Sequence, residues 1–144
     1  MPVVHLASDH AGYALKELLA RELPRLGFTV TDHGTDSAES CDYPVFAHKL
    51  CEAVLAGGGQ GILVCGSGIG MSIAANRHDG IRAALCTTEL HARLSRRHND
   101  ANVLCLGARI TGEELALAIV VAFLETAFEG GRHQRRIDQI TPRA

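Results

Sequence analysis

The ten residues Gly61-Ile62-Leu63-Val64-Cys65-Gly66-Ser67-Gly68-Ile69-Gly70 constrain the fold of this chain more than any other stretch. Ile62 to Cys65 are four apolar residues, two of them β-branched, and read as a short buried strand. Three glycines follow, and Met71-Ser72-Ile73-Ala74-Ala75-Asn76 then reads as a helix. A glycine-rich turn between a strand and a helix aims backbone N–H groups at one point and adds the positive end of a helix dipole. It is therefore a ready cradle for an anion. Cys65 stands at its rim, where a thiolate would be stabilised. A thiol beside such a cradle reads as the floor of an active site. The plainer alternative is a buried core cysteine followed by an ordinary loop.

The cradle is neither common nucleotide fingerprint. A Walker loop needs Lys-Ser or Lys-Thr after its last glycine, and none follows Gly70. A dinucleotide loop G-x-G-x-x-G starting at Gly66 needs glycine at position 71, where Met71 stands. NAD and ATP are thus disfavoured, and a loop that stabilises an oxyanion is left.

The flanking sequence alternates in the same way. Val3 to Ala7 reads as a strand and Ser8 to Gly12 as a turn. A helix follows, with Leu15, Leu18, Leu19, Leu23 and Leu26 at spacings of three and four. Pro24 conflicts with a helix interior. Phe28 to Thr31 reads as a strand, His33 to Cys41 as a loop, and Asp42-Tyr43-Pro44 as a helix start. Ile81 to Cys86 is a fourth strand, and Thr87 or Thr88 caps a helix to about Arg97. His98 to Asn102 reads as a turn and Val103 to Leu106 as a fifth strand. Thr111-Gly112-Glu113-Glu114 fits a capping box before the longest helix, and Arg132 to Ile140 can form a last short one. Alternation of this kind specifies an α/β fold: a parallel sheet with helices on both faces.

At 144 residues, with 47% hydrophobic and 21% charged, the chain suits one soluble domain over 1–144, its basic end at 132–144 included. A net charge of −2 argues against bulk attraction to nucleic acid or membrane. No apolar run approaches the roughly 20 residues of a membrane span, and no basic leader opens the chain. The cysteines at 41, 51, 65, 86 and 105 are odd in number and contain no C-x-x-C. Neither a disulfide framework nor a zinc site is expected, and a reducing cytoplasm is the natural setting.

Ligands of parallel sheets bind beyond the carboxyl ends of the strands. The candidates there are Ser8-Asp9-His10, the stretch Cys65 to Gly70, Thr87-Thr88 and Gly107-Ala108-Arg109. Asp9 and His10 could bind sugar hydroxyls or move a proton; the plainer alternative is a helix cap and a surface histidine. Arg132 and Arg136, at i and i+4, face one way on a helix. With Arg109 they could bind a phosphate, or they are a solvated basic tail. His98-Asn99 precedes the last strand and so belongs at the opposite edge of the sheet; it could reach a strand-end pocket of its own chain only with difficulty and a neighbouring subunit's more readily, and the plainer reading, favoured on these residues alone, is a helix-end histidine suited to the dipole. The other histidines show no ligand spacing.

Taken together, Ser8-Asp9-His10-Ala11-Gly12, Asp42-Tyr43-Pro44, Cys65 to Gly70, Ser72 to Asn76, Leu94 to Asp100, Asn102-Val103-Leu104 and Glu129-Gly130-Gly131-Arg132-His133 resemble the type B ribose-5-phosphate isomerases, a family that also holds galactose-6-phosphate isomerase subunits. The likeness runs from the first strand to about Ile140. It implies a Rossmann-like three-layer sandwich with five parallel strands, and a homodimer, sometimes paired into a tetramer, with active sites at the interface. It implies no metal and no cofactor. The implied reaction interconverts ribose 5-phosphate and ribulose 5-phosphate through an enediolate.

Position by position, Cys65 matches the base that moves a proton between C2 and C1, and Ser67 the hydroxyl beside it. Gly66, Gly68, Ile69 and Gly70 match the enediolate-stabilising loop. Asp9 and a partner's His98 match the ring-opening residues. Tyr43 and Asn99 match sugar contacts, and His10, Arg109, Arg132 and Arg136 match phosphate contacts. A branch of the family lacks the cysteine and uses a glutamate where Met71 stands, so Cys65 places this chain in the cysteine branch. The alternatives are isomerisation of a six-carbon 6-phosphate such as allose or galactose 6-phosphate, and a non-catalytic sugar-phosphate-binding module.

Overall fold

The computed structural model describes residues 3–142. Its elements, in chain order, are β1 (Val3–Ser8), α1 (Tyr13–Arg25), β2 (Thr29–Asp32), α2 (Tyr43–Gly57), β3 (Gln60–Cys65), α3 (Ile69–Ala75), β4 (Ala83–Leu85), α4 (Glu89–Asn99), β5 (Val103–Gly107), α5 (Glu113–Glu125) and α6 (Arg132–Ile137). The strands form one all-parallel sheet in the order β2-β1-β3-β5-β4. Each crossover carries a helix, as parallel pairing requires.

Alternation along the buried strands sorts the core into two layers. Val4, Leu6, Ile62, Val64, Leu104 and Leu106 pack with Leu15, Leu19 and Leu23 of α1, Ala92 of α4, and Ile119 and Phe123 of α5. Ala7, Leu63, Cys65, Val103 and Cys105 point the other way, onto Leu50 and Val54 of α2 and Met71 and Ala75 of α3. The result is the expected three-layer α/β sandwich. Cys65 thus belongs to the α2/α3 side.

Expectations are corrected at α4, α5, α6 and β4, while Pro24 is accommodated within its helix. Helix α1 runs through Pro24 to Arg25. The proline sits in the exposed last turn, where only one intrahelical bond is forfeited, and Leu26 and Gly27 N–H close the end on Leu23 O and Pro24 O. The capping box does not form: Gly112 is the N-cap of α5, with no side-chain bond, and Thr111 is buried. His98 and Asn99 are not a turn but the last turn of α4, which ends on Asp100 in the left-handed region. The fourth strand and the last helix are shorter than the sequence suggests, at three and six residues. Thr88, by contrast, does cap α4: its Oγ1 accepts the N–H of His91 at 3.0 Å.

Candidate active site

The sheet order changes direction between β1 and β3: from β1 the chain goes outward to β2, then returns to the other side of β1 as β3, crosses to the far edge as β4 and comes back between the two as β5. The carboxyl ends of β1 and β3 therefore part around a crevice. Cys65 ends β3 there, in register with Gly107 of β5. Its Sγ accepts the N–H of Gly68 at 3.1 Å. A sulfur held by an N–H donor is placed to carry negative charge. The Ile69 N–H turns onto Ser67 Oγ at 3.2 Å.

Two glycines of this loop are dictated by their surroundings. Gly68 has φ +80°, and a Cβ there would lie 2.5 Å from Leu85 Cδ1 and 2.9 Å from the Leu106 carbonyl carbon. A Cβ on Gly70 would lie 2.6 Å from the ring of Tyr43. The Tyr43 ring, at the start of α2, thus lies directly against the loop. Arg109 covers its other side: a Cβ on Gly66 would sit 3.1 Å from Arg109 Nη1. The Arg109 backbone is pinned in turn, its N–H donating to Gly66 O at 2.9 Å. Met71 is fully buried in the same apolar layer as Cys65, so no carboxylate stands in this loop.

Asp9 and His10 close the crevice from β1. Asp9 is 7% exposed, its N–H donates to Val64 O at 3.2 Å, and its Oδ1 accepts the N–H of Gly12 at 3.0 Å. The carboxylate therefore braces the turn into α1 through Oδ1. His10 Nδ1 accepts the Cys41 N–H at 3.2 Å, which docks the 33–42 loop over the site. Cys65, Ser67, Gly66, Gly68, Ile69, Gly70, Asp9, His10, Tyr43 and Arg109 are thus one constellation at the carboxyl edge.

The remaining four candidates are elsewhere. His98 and Asn99 end α4 just before β5 begins at Val103. Five residues of β5, roughly 16 Å of strand, separate that edge from the one Cys65 occupies. Arg132 and Arg136 lie on α6, which packs beside α4. The expectation that Arg109 joins them on one phosphate therefore fails within a single chain: α6 is carried to the opposite edge of the sheet. Arg109, Arg132 and Arg136 are all exposed. A cavity of about 800 Å³ also lies at that opposite edge, lined by Arg77, Arg82, Asn99, Asp100, Gln134 and Ile137 among others.

His133, which spacing had left among the structural histidines, meets His98: the rings stack 4.4 Å apart at 15°. Glu129 Oε1 stands 3.4 Å from His133 Nε2 and 3.8 Å from His98 Nε2. Among the described residues these three form a cluster with metal-ligand chemistry, the donor atoms within 4.8 Å of one another. The readable trace was the i, i+4 spacing of Glu129 and His133 beside a conspicuous pair of glycines. Three further free thiols, Cys51, Cys86 and Cys105, are buried in the core. Burial pushes Cys51 up to about 12 and Cys86 to about 11, and raises Cys105 well above the ordinary thiol range.

The whole arrangement has known relatives. Residues 4–140 match the model of the family described as Ribose/Galactose Isomerase. Ribose-5-phosphate isomerase B of Escherichia coli is 47% identical over 142 residues, covering 98% of this chain and 95% of that protein. The structure of Clostridium thermocellum ribose-5-phosphate isomerase B superposes with a TM-score of 0.94 at 50% identity, over 96% of this chain and 94% of that one. That of the Thermotoga maritima ribose 5-phosphate isomerase superposes with a TM-score of 0.94 at 53% identity, over 96% and 97%. A chain matched across nearly its whole length by sequence and by fold belongs to the ribose/galactose isomerase family.

Proposed function

We propose that this chain is a single sugar-phosphate isomerase domain that interconverts ribose 5-phosphate and ribulose 5-phosphate. The observation that carries the reading is the Cys65 loop: a thiol at a strand end, hydrogen-bonded to Gly68 N–H, in a chain 47% identical to a ribose-5-phosphate isomerase B. Aldose–ketose isomerisation needs one base that serves two adjacent carbons and donors that stabilise the enediolate between them. Cys65 takes the C2 proton and returns it at C1. Ser67 Oγ and the backbone N–H groups of Gly66 to Gly70 face the developing charge, after Gly68 and Ile69 N–H are released from their internal partners. Tyr43 lines the sugar pocket.

In this reading the active protein is a homodimer. Ile69 and Ile73 on α3 and Leu85 on the edge strand expose apolar surface beside the glycine loop, and a two-fold partner covers it. His98 of the partner subunit and Asp9 open the sugar ring, and Asn99 of the partner subunit contacts the sugar. His10 and Arg109 hold the phosphate from one chain, with Arg132 and Arg136 of the partner subunit completing the grip. Pairing of dimers into a tetramer is compatible with this arrangement. No helix among the described residues is long and apolar enough to cross a membrane, and we place the enzyme in the cytoplasm, where the five free thiols stay reduced. No metal or cofactor takes part.

The test is turnover of the purified protein on ribose 5-phosphate, allose 6-phosphate and galactose 6-phosphate. The reading expects the highest kcat/KM on ribose 5-phosphate. Preference for a six-carbon phosphate would replace the substrate, and binding without turnover would leave a sugar-phosphate-binding module.

A further inference from the structure

Glu129 belongs to none of the roles given above, yet its backbone is tied down and its half-exposed carboxylate stands beside two histidines. It lies in the segment between α5 and α6. Its N–H donates to Arg97 O at 3.1 Å, and the nearby Thr126 O accepts from Arg96 Nε at 3.1 Å. Both bonds tie the segment to the last turns of α4, where His98 sits. The Glu129 carboxylate is thereby held in ion-pair range of two imidazole Nε2 atoms, 3.4 Å from His133 and 3.8 Å from His98. His133 is 8% exposed and forms a wall. The His98 ring lies flat on it at 4.4 Å and is 41% exposed on its other side.

We propose that Glu129 is a positioning residue for His98. A carboxylate facing Nε2 favours the tautomer whose proton is on that nitrogen. The lone pair then lies on Nδ1, and the stack on His133 holds the plane of the half-exposed ring. This rests on the ring-opening role assigned to His98 above. In that step the O1 hydroxyl proton passes to Nδ1, the C1–O4 bond breaks with its electrons on O4, and the same proton is delivered to O4. Nothing is oxidised or reduced. The wrong tautomer would present an N–H where a base is needed, and the step would stall.

Ribulose 5-phosphate separates ring opening from the later chemistry, because its O5 is phosphorylated and cannot close a five-membered ring on C2. In D2O, deuterium appearing at C1 of ribulose 5-phosphate reports proton abstraction by the base alone. The experiment compares Glu129→Gln with the unaltered dimer in two assays, isomerisation of ribose 5-phosphate and deuterium uptake at C1 of ribulose 5-phosphate. The proposal expects kcat/KM on ribose 5-phosphate to fall roughly 10- to 100-fold, the scale of losing a residue that orients a functional imidazole, while the uptake rate stays within about twofold of normal, too small a change for a lost proton-transfer group. Equal loss in both assays would mean that Glu129 only supports the fold or the phosphate, and no loss in either would mean that it positions nothing; each outcome overturns the proposal. His98→Ala is run alongside. If it slows both assays equally, the ring-opening role itself falls, and this inference falls with it.

Discussion

Cys65 and Ser8 end adjacent strands, yet their environments send them in opposite directions. Cys65 has a backbone donor at its sulfur and faces the crevice. Cys65→Ala removes the proposed base without disturbing the loop's backbone, so turnover should fall by at least about 100-fold while competition by inorganic phosphate is kept; normal turnover would take Cys65 out of the role. Ser8 is fully buried, and its Oγ has no hydrogen-bond partner. Replacing an unsatisfied buried hydroxyl with hydrogen relieves a desolvation cost, so Ser8→Ala should raise the urea midpoint, by about 1 kcal/mol of stability. His33 adds a pH dependence. Its pKa lies below the ordinary 6.5, first through burial and then through the neighbouring His5. His5 Nε2–H donates to Gly58 O at 3.0 Å, so its Nδ1 accepts from His33 Nε2–H at 2.9 Å. The unfolded chain then binds a proton more readily than the folded one, so stability is lost as pH falls below about 6.5. Urea midpoints between pH 7 and pH 5, about 2 units across that window, should decline, and less steeply in His33→Gln.

The elements were legible where periodicity alone decides them. The apolar runs of β1, β3 and β5 could only be buried strands, and Leu15, Leu19 and Leu23 could only face a core. Boundaries set by single interactions were not. Pro24 reads as a conflict within its helix because its exposure in a last turn is invisible in one dimension. Thr111 reads as a cap, yet its N–H is taken up by Gly107 O at 2.9 Å, which turns the chain before a cap can form. Lys16 of α1 is 1% exposed, its Nζ paired with Asp32 Oδ2 at 2.6 Å, a partner no helical spacing names. That pair ties α1 to β2. Lys16→Met, which keeps the volume and drops the charge, should cost about 1.5–3 kcal/mol in urea unfolding, with the active-site loop untouched. On α6, Arg132 and Arg136 flank the buried His133 and stay exposed. Arg132→Ala and Arg136→Ala should each weaken sugar-phosphate binding by about 1.5–3 kcal/mol, read as a raised KM; unchanged KM values would return them to the solvated surface.

At the scale of the whole molecule the sequence named candidate site residues but not their arrangement. Spacing says that Cys65 ends a strand and that His98 precedes one, and so hints at opposite edges. It does not say that Arg132 and Arg136 travel with His98, because that depends on α5 and the 126–131 segment carrying α6 back to α4. The fold divides the candidates cleanly: Asp9, His10, Tyr43, Cys65 to Gly70 and Arg109 at one edge, and His98, Asn99, Arg132 and Arg136 at the other. A site that uses both sets is built from two chains.

Subunit complementation tests this directly. Cys65→Ala and His98→Ala proteins, each inactive alone, are mixed under conditions that exchange subunits. A heterodimer then carries one site with both substitutions and one with neither. The account predicts that activity returns to about half the native value per heterodimer, the share set by two-fold symmetry. No recovery despite demonstrated exchange would mean that Cys65 and His98 act from the same chain, which contradicts the two-chain site.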